Sequence, residues 1–298
     1  MKIKFLLFIN NLANSLRRRT INFLVKPFIR KSLYSSYYTP LIEHPSSDII
    51  KNNDVNSYIK QILDKDKPCM IGRLGYVEAN TMLKIERLPK SSLIELLYES
   101  NNPDDRFKDS RYIKKSELWH PDHWRIIRDF SGLYPLNKHT LLKFYDEMID
   151  GLKSIDLIGS FTSPESRYFE FLNNAKVCPF EHLEPYIYSA PWTSSLKGKK
   201  VLVIHPFAES IRNQYDKNRD KLFNGIEVLP KFELKCLKAV QSLGGKNSDN
   251  NFENWFDAFD WMLDSALSID FDIAIIGCGA YGFPLASRIK KFGRKAIH

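Results

Sequence analysis

Three short segments carry residue types that can do chemistry. Gly277-Cys-Gly-Ala-Tyr-Gly282 spells G-x-G-x-x-G between an apolar run and a helical pattern. Glycines so placed, Gly277, Gly279 and Gly282, let backbone amides and a helix start close on a phosphate, with Tyr281 beside them. Arg73-Leu-Gly-Tyr-Val-Glu78 puts a guanidinium and a carboxylate at one turn around Gly75. The planar fork of arginine binds two oxygens of a diphosphate, and Glu78 can ligate a divalent cation that bridges one. His205-Pro-Phe-Ala-Glu-Ser210 follows the strongest strand-like run and offers an imidazole that can meet a phosphate or act as a base, with Ser210 one helical turn on. Each segment also has a plainer reading: a tight turn, an Arg–Glu pair that orients a loop, a histidine satisfied by backbone at a strand end.

Other chemistries lack their residues. A dinucleotide site needs an acid about 20 residues beyond the first glycine, at the end of a second strand; here Lys295-Ala-Ile-His298 begins that strand. There is no G-x-S-x-G elbow and no P-loop. Cys69, Cys178, Cys236 and Cys278 are far apart and form no C-x-x-C pair, so they read as buried free thiols of a reducing compartment. His120-Pro-Asp-His123 has two metal-type ligands in a loop-like setting.

The elements that must position these groups follow one plan. Apolar runs at 68–75, 155–160, 200–206 and 271–277 each end in small or special residues. Three of them lead directly into helical patterns, at Val77–Leu83, Ala208–Tyr215 and Pro284–Phe292. Continuous apolar strands alternating with helices imply a Rossmann-like α/β fold, a mainly parallel sheet flanked by helices. Phe252, Trp255, Phe256, Phe259, Leu263 and Ala266 trace one helix face, and Phe232, Cys236, Val240 and Leu243 read as another. Residues 84–150, charged and aromatic, are expected to form a helical insertion. Ligands of such sheets bind beyond the strands' carboxyl ends, where all three segments fall.

Composition narrows the partner. With 298 residues, 43% hydrophobic and 13% aromatic, the chain is globular and long enough for one large domain plus an extension. Its net charge of +9 points to an anionic partner. Eight basic residues, Lys2, Lys4, Arg17, Arg18, Arg19, Lys26, Arg30 and Lys31, precede the first acid, Glu43, so the remainder carries only +1. That balance argues against nucleic acid. Phe5, Ile9, Leu12 and Leu16 recur at helical spacing in this acid-free leader, the pattern of an interfacial helix on an anionic membrane surface; packing on the domain or on a second subunit would use the same pattern. We expect residues 1–40 to be a basic amphipathic segment and 41–298 the α/β domain. No run approaches a membrane span or a convincing signal peptide, so the expected location is cytoplasmic, with peripheral attachment at the inner face of the membrane.

Cys69-Met-Ile-Gly-Arg-Leu-Gly-Tyr-Val-Glu78, Lys199-Lys-Val-Leu-Val-Ile-His-Pro-Phe207 and Phe271-Asp-Ile-Ala-Ile-Ile-Gly-Cys-Gly-Ala-Tyr-Gly-Phe-Pro-Leu285 together resemble bacterial proteins of the GT-D glycosyltransferase fold, often associated with surface or capsular polysaccharide synthesis. The resemblance covers roughly residues 65–298. It implies transfer of a sugar from a nucleotide-diphosphate sugar to a glycan or lipid-linked acceptor. It implies donor contacts from Arg73, Gly75, Glu78, His205, Ser210 and the Gly277–Gly282 turn, and Mg²⁺ or Mn²⁺ held at Glu78. Tyr76 stands where the family pattern has the Asp of an Asp-x-Glu metal pair, and the Gly-rich stretch that tends to follow the equivalent of Ile297-His298 is missing here, which implies a short or truncated chain. Glu209 and Glu233 are base candidates by type. Two other readings stand beside it: an NAD(P)-dependent oxidoreductase acting on sugar nucleotides, and a non-catalytic assembly factor of the same fold.

Overall fold

The structure, a computed structural model, describes residues 49–50, 52–86, 126–161, 163–223, 226–242 and 252–298. The sheet and its helices belong to one compact unit, residues 44–160 with 164–298. The leader at 1–40, His120, His123 and the loop at 244–251 lie outside the described residues.

Seven strands form one sheet in which every pairing is parallel, in the order β3-β2-β1-β7-β6-β4-β5. They are β1 (Cys69–Gly72), β2 (Leu157–Ser160), β3 (Lys176–Pro179), β4 (Lys200–His205), β5 (Glu233–Lys238), β6 (Ile273–Ile276) and β7 (Lys295–Ile297). The helices are α1 (Asn52–Asp64), α2 (Tyr76–Glu86), α3 (Lys138–Ser154), α4 (Ala208–Asn218), α5 (Trp255–Leu267) and α6 (Gly282–Lys291). This is the Rossmann-like α/β architecture expected from the strand–helix alternation.

Alternation along the strands covers both faces of the sheet. Cys69 and Ile71, Leu157, Cys178, Val201 and Ile273 point to one face, where they pack with Val55, Ile59 and Leu63 of α1 and with Trp192 and Leu196. Met70, Ile158, Leu202, Ile204, Ala274, Ile276 and Ala296 are buried on the other. There α6 lies across β1, β6 and β7 and packs on α3 and α5. Glu147 of α3 accepts from Arg288 of α6, and Asp150 from Lys291 at 3.0 Å. Gly151 of α3 admits the Phe283 ring: a Cβ there would stand 2.5 Å from Phe283 Cε1. Helix α3, which begins within the 84–150 span read as an insertion and runs past it, is thus the crossover helix that feeds β2; residues 87–125 of that span lie outside the described residues.

Two expectations change. The Phe232–Leu243 pattern is not a helix: residues 233–238 form edge strand β5, paired to β4 throughout. A spacing of four satisfies both a helix face and alternate strand positions, so it could not separate the two. Cys236 on this strand is half-buried, whereas Cys69, Cys178 and Cys278 are buried, and all four are free thiols. Strand β3 was not visible because only Val177 and Cys178 in Lys176–Pro179 are buried. Helix α5 starts at Trp255 rather than Phe252, because Asn254 caps it in a reciprocal capping box with Asp257. No helix among the described residues is long and apolar enough to cross a membrane.

Candidate functional site

The strand order reverses in the middle of the sheet. From β1 the chain winds outward to β2 and β3; from β4 it winds the other way to β5, and β6 and β7 return between β1 and β4. A crevice beyond the carboxyl ends of such central strands is where ligands bind in open α/β sheets. The register aligns those ends. Ile71 pairs with Ile297, Ile297 with Ile275, and Ile276 with Ile204. One residue further, Gly72 lies beside His298 and Gly277 opposite His205.

The glycines of the β6–α6 turn have separate jobs. A Cβ on Gly277 would meet His205 Cδ2 at 2.7 Å and Nε2 at 3.4 Å. A Cβ on Gly282 would meet His298 Cε1 and Nδ1, both at 2.3 Å. Gly279 has φ +60 with open space around it, so backbone conformation, not room, is what it supplies. Two of the three glycines therefore make space for imidazoles. Tyr281, expected at the donor, is turned inward instead: it is 3% exposed, stacks on Trp255 at 4.3 Å and 5°, and shares a 2.8 Å hydrogen bond with Ser242 Oγ. Cys278 is buried, and burial pushes its thiol up to about 12, which rules it out as a thiolate nucleophile near neutral pH.

The two histidines are held in opposite tautomers. His205 Nδ1 accepts the Phe207 backbone N–H at 3.0 Å, so its proton sits on Nε2, and burial lowers its pKa. His298 Nδ1 faces the Ile276 carbonyl oxygen at 3.3 Å; a carbonyl only accepts, so Nδ1 carries the proton. Burial, and then the nearby Arg73 guanidinium, hold the His298 pKa down to about 4. Sequence reading placed His298 in the opening of a strand and gave it no role; only the strand pairing sets it beside Gly72 and Gly282.

Arg73 leaves β1 at this point, with its guanidinium 5.6 Å from the centre of the Phe180 ring. Glu78 sits in the first turn of α2, and its carboxylate folds back over Gly75, where a Cβ would be 1.9 Å from Oε2. Burial raises its pKa; a hydrogen bond to its own backbone and the charge of Arg73 pull the other way. Glu78 thus acts as an acid at a helix N-terminus as well as a neighbour of Arg73. Ser210 and Glu209 are exposed in the first turn of α4. Glu233 belongs elsewhere: it begins β5 opposite Lys200, at the amino ends of the strands, and is removed as a base candidate. Ser160, at the end of β2, donates to the buried Glu165.

The donor set does not fit a protein-held metal ion. Among the described residues no group of three or more His, Cys, Asp and Glu side chains is close enough to hold one. The carboxylate of Glu78 is turned onto Gly75, and Tyr76 supplies no second carboxylate. Mg²⁺ and Mn²⁺ want several oxygen ligands.

No protein-family model and no curated protein matches the chain. Among solved structures, one described as the selenomethionine-substituted structure of domain of unknown function 1792 (DUF1792) aligns with 91% of this chain and 80% of its own, at 12% identity and a TM-score of 0.36. A likeness this slight carries no functional weight.

Proposed function

We propose that the protein is a glycosyltransferase that takes a nucleotide-diphosphate sugar in the crevice beyond β1, β7, β6 and β4 and passes the sugar to a glycan or lipid-linked acceptor of surface polysaccharide synthesis. The observation that carries this reading is the convergence of Arg73, His205 and the Gly277–Gly282 turn at the reversal of strand order. Strands β1 and β4 are three strand spacings apart, about 14 Å. That width suits a nucleoside with its diphosphate better than a single phosphate. The resemblance of the three segments to GT-D proteins selects sugar transfer among the reactions such a crevice can host.

Sugar transfer from a nucleotide donor develops negative charge on the leaving diphosphate. Groups that oppose this charge lower the barrier most when they are already in place. Arg73 does so as a fixed cation; the backbone contribution of the turn falls to exposed Gly279, because the N–H groups of Gly277 and Gly282 are already given to the carbonyls of Ile204 and Gly279. We derive no step through a metal ion.

Thermal unfolding against a panel of nucleotide-diphosphate sugars, their nucleoside diphosphates and NADH tests the proposal, because a ligand of the folded state raises its apparent stability. Saturable stabilisation by a nucleotide sugar, lost in Arg73→Ala, is expected. Stabilisation by NADH alone would sink the reading. Binding without turnover across donors and acceptors would favour the non-catalytic factor.

A further inference from the structure

The imidazole of His205 has a ring nitrogen whose chemistry is fixed by its neighbours. His205 is half-buried, its ring held between the Phe207 amide on one side and the Gly277 backbone on the other. A backbone N–H can only donate, so Nδ1 can only accept while that bond stands. Nε2 must then bear the proton. Among the described residues nothing accepts from it. Phe207, which supplies the locking amide, is 64% exposed, with its ring 5.4 Å from the imidazole.

We propose that His205 is a ligand-binding residue that works as a locked neutral donor, giving its Nε2–H to a phosphate oxygen of the diphosphate at the end of β4. This rests on the crevice being a diphosphate site and deepens that reading by naming the group that meets it. The argument is one of complement. A neutral N–H fixed in direction asks for an oxygen with a free lone pair. Gly277 is kept bare beside it, so the ligand oxygen meets the donor without a side chain in between. Acting as a cation would require a proton on Nδ1, facing the Phe207 N–H, and would break the bond that aims the ring. His205 therefore supplies direction, and Arg73, on the other side of β7 and β6, supplies charge.

The test uses the full chain labelled with ¹⁵N. Two-bond imidazole correlation spectra report which ring nitrogen carries the proton, and the His205 signals are assigned by their loss in His205→Gln. The free protein is expected to show His205 as the neutral Nε2–H tautomer at neutral pH. Inorganic pyrophosphate and UDP should both shift that signal, whereas uridine should not. By calorimetry, His205→Phe should weaken pyrophosphate and UDP at least about tenfold, the lower range for a hydrogen bond to a charged group. His205→Gln keeps an N–H at similar reach and should recover most of the loss. An Nδ1–H or doubly protonated ring in the free protein would overturn the proposal, as would a His205→Phe variant that binds both probes like wild type, a Gln variant no better than Phe, or absence of pyrophosphate binding. A shift with uridine but not pyrophosphate would move the contact to the nucleoside and equally overturn it. Pyrophosphate binding that depends on His205 with no nucleotide-sugar turnover would refute glycosyl transfer and leave this inference standing.

Discussion

Gly277→Ala tests whether that glycine is bare for the sake of His205. The new Cβ would lie 2.7 Å from His205 Cδ2, about 0.8 Å inside the ~3.5 Å at which carbon atoms pack. Gly277 is not in the left-handed region, so alanine meets no backbone penalty there. By itself the change should then stabilise by about 0.4–1 kcal/mol through the unfolded chain. Against this stands overpacking at about 1–3 kcal/mol. The imidazole can retreat only by stretching its 3.0 Å bond from the Phe207 N–H, worth about 1 kcal/mol. The net expectation is a loss of about 2 kcal/mol. In a His205→Ala background the clash is gone, and Gly277→Ala should be neutral or slightly stabilising. Urea unfolding followed by tryptophan fluorescence on the wild type, both single variants and the double variant gives the coupling, expected at about 2 kcal/mol. Equal destabilisation in the two backgrounds, within about 0.5 kcal/mol, would refute the steric account and leave Gly277 as a turn glycine unrelated to the histidine.

The other predictions concern the surroundings of the crevice. Glu78 has a folded-state pKa above its ordinary 4.5; its contribution to stability is complete below that value and is lost as pH rises through the raised folded pKa. The stability of Glu78→Gln relative to wild type should therefore climb over that window, and a flat difference in urea unfolding across pH would remove the burial argument. Tyr281→Phe deletes a buried hydroxyl bonded to Ser242 and should cost about 1 kcal/mol in the same assay; no loss would mean the bond contributes nothing. Arg288→Ala strands the side chain of Glu147, only 8% exposed, between α6 and α3; with Arg288 itself partly solvated, a loss of about 2 kcal/mol is expected, and a denaturant midpoint unchanged from wild type would contradict it. Replacing Arg17, Arg18 and Arg19 together by Glu should release the protein from anionic liposomes, since each basic residue near such a surface is worth about 1 kcal/mol; a wild-type protein that never sediments with them would end the membrane proposal.

Much of the scaffold was written in local pattern. The runs that became β1, β2, β4 and β6 are apolar on both faces because helices cover both sides of the sheet, so they stand out in any window of the sequence. The patterns behind α2, α5 and α6 were legible for the same reason, each burying a face at helical spacing, whereas α4 fully buries only Ala208. The edge was not legible. Strands β3 and β5 have covered neighbours on one side only, so their residues carry a weaker apolar signal, and β5 mixes Glu233, Lys235 and Lys238 among its half-buried positions.

The candidate site divides in the same way. Residue type and spacing alone determined that Arg73, His205 and the glycine turn stand at strand ends, because strand boundaries are local. Tertiary structure decided which of them share a crevice, since that depends on strand order, and order is set by long-range pairing that leaves no local trace. Only pairing brings His298, just after β7, between β1 and β6, sets Gly277 opposite His205, turns Tyr281 into the core and sends Glu233 to the far end of the sheet. The sequence spelled the glycine motif; the fold showed that two of its glycines make room for histidine rings, because the space a missing Cβ leaves is defined by whichever strand lies next to it.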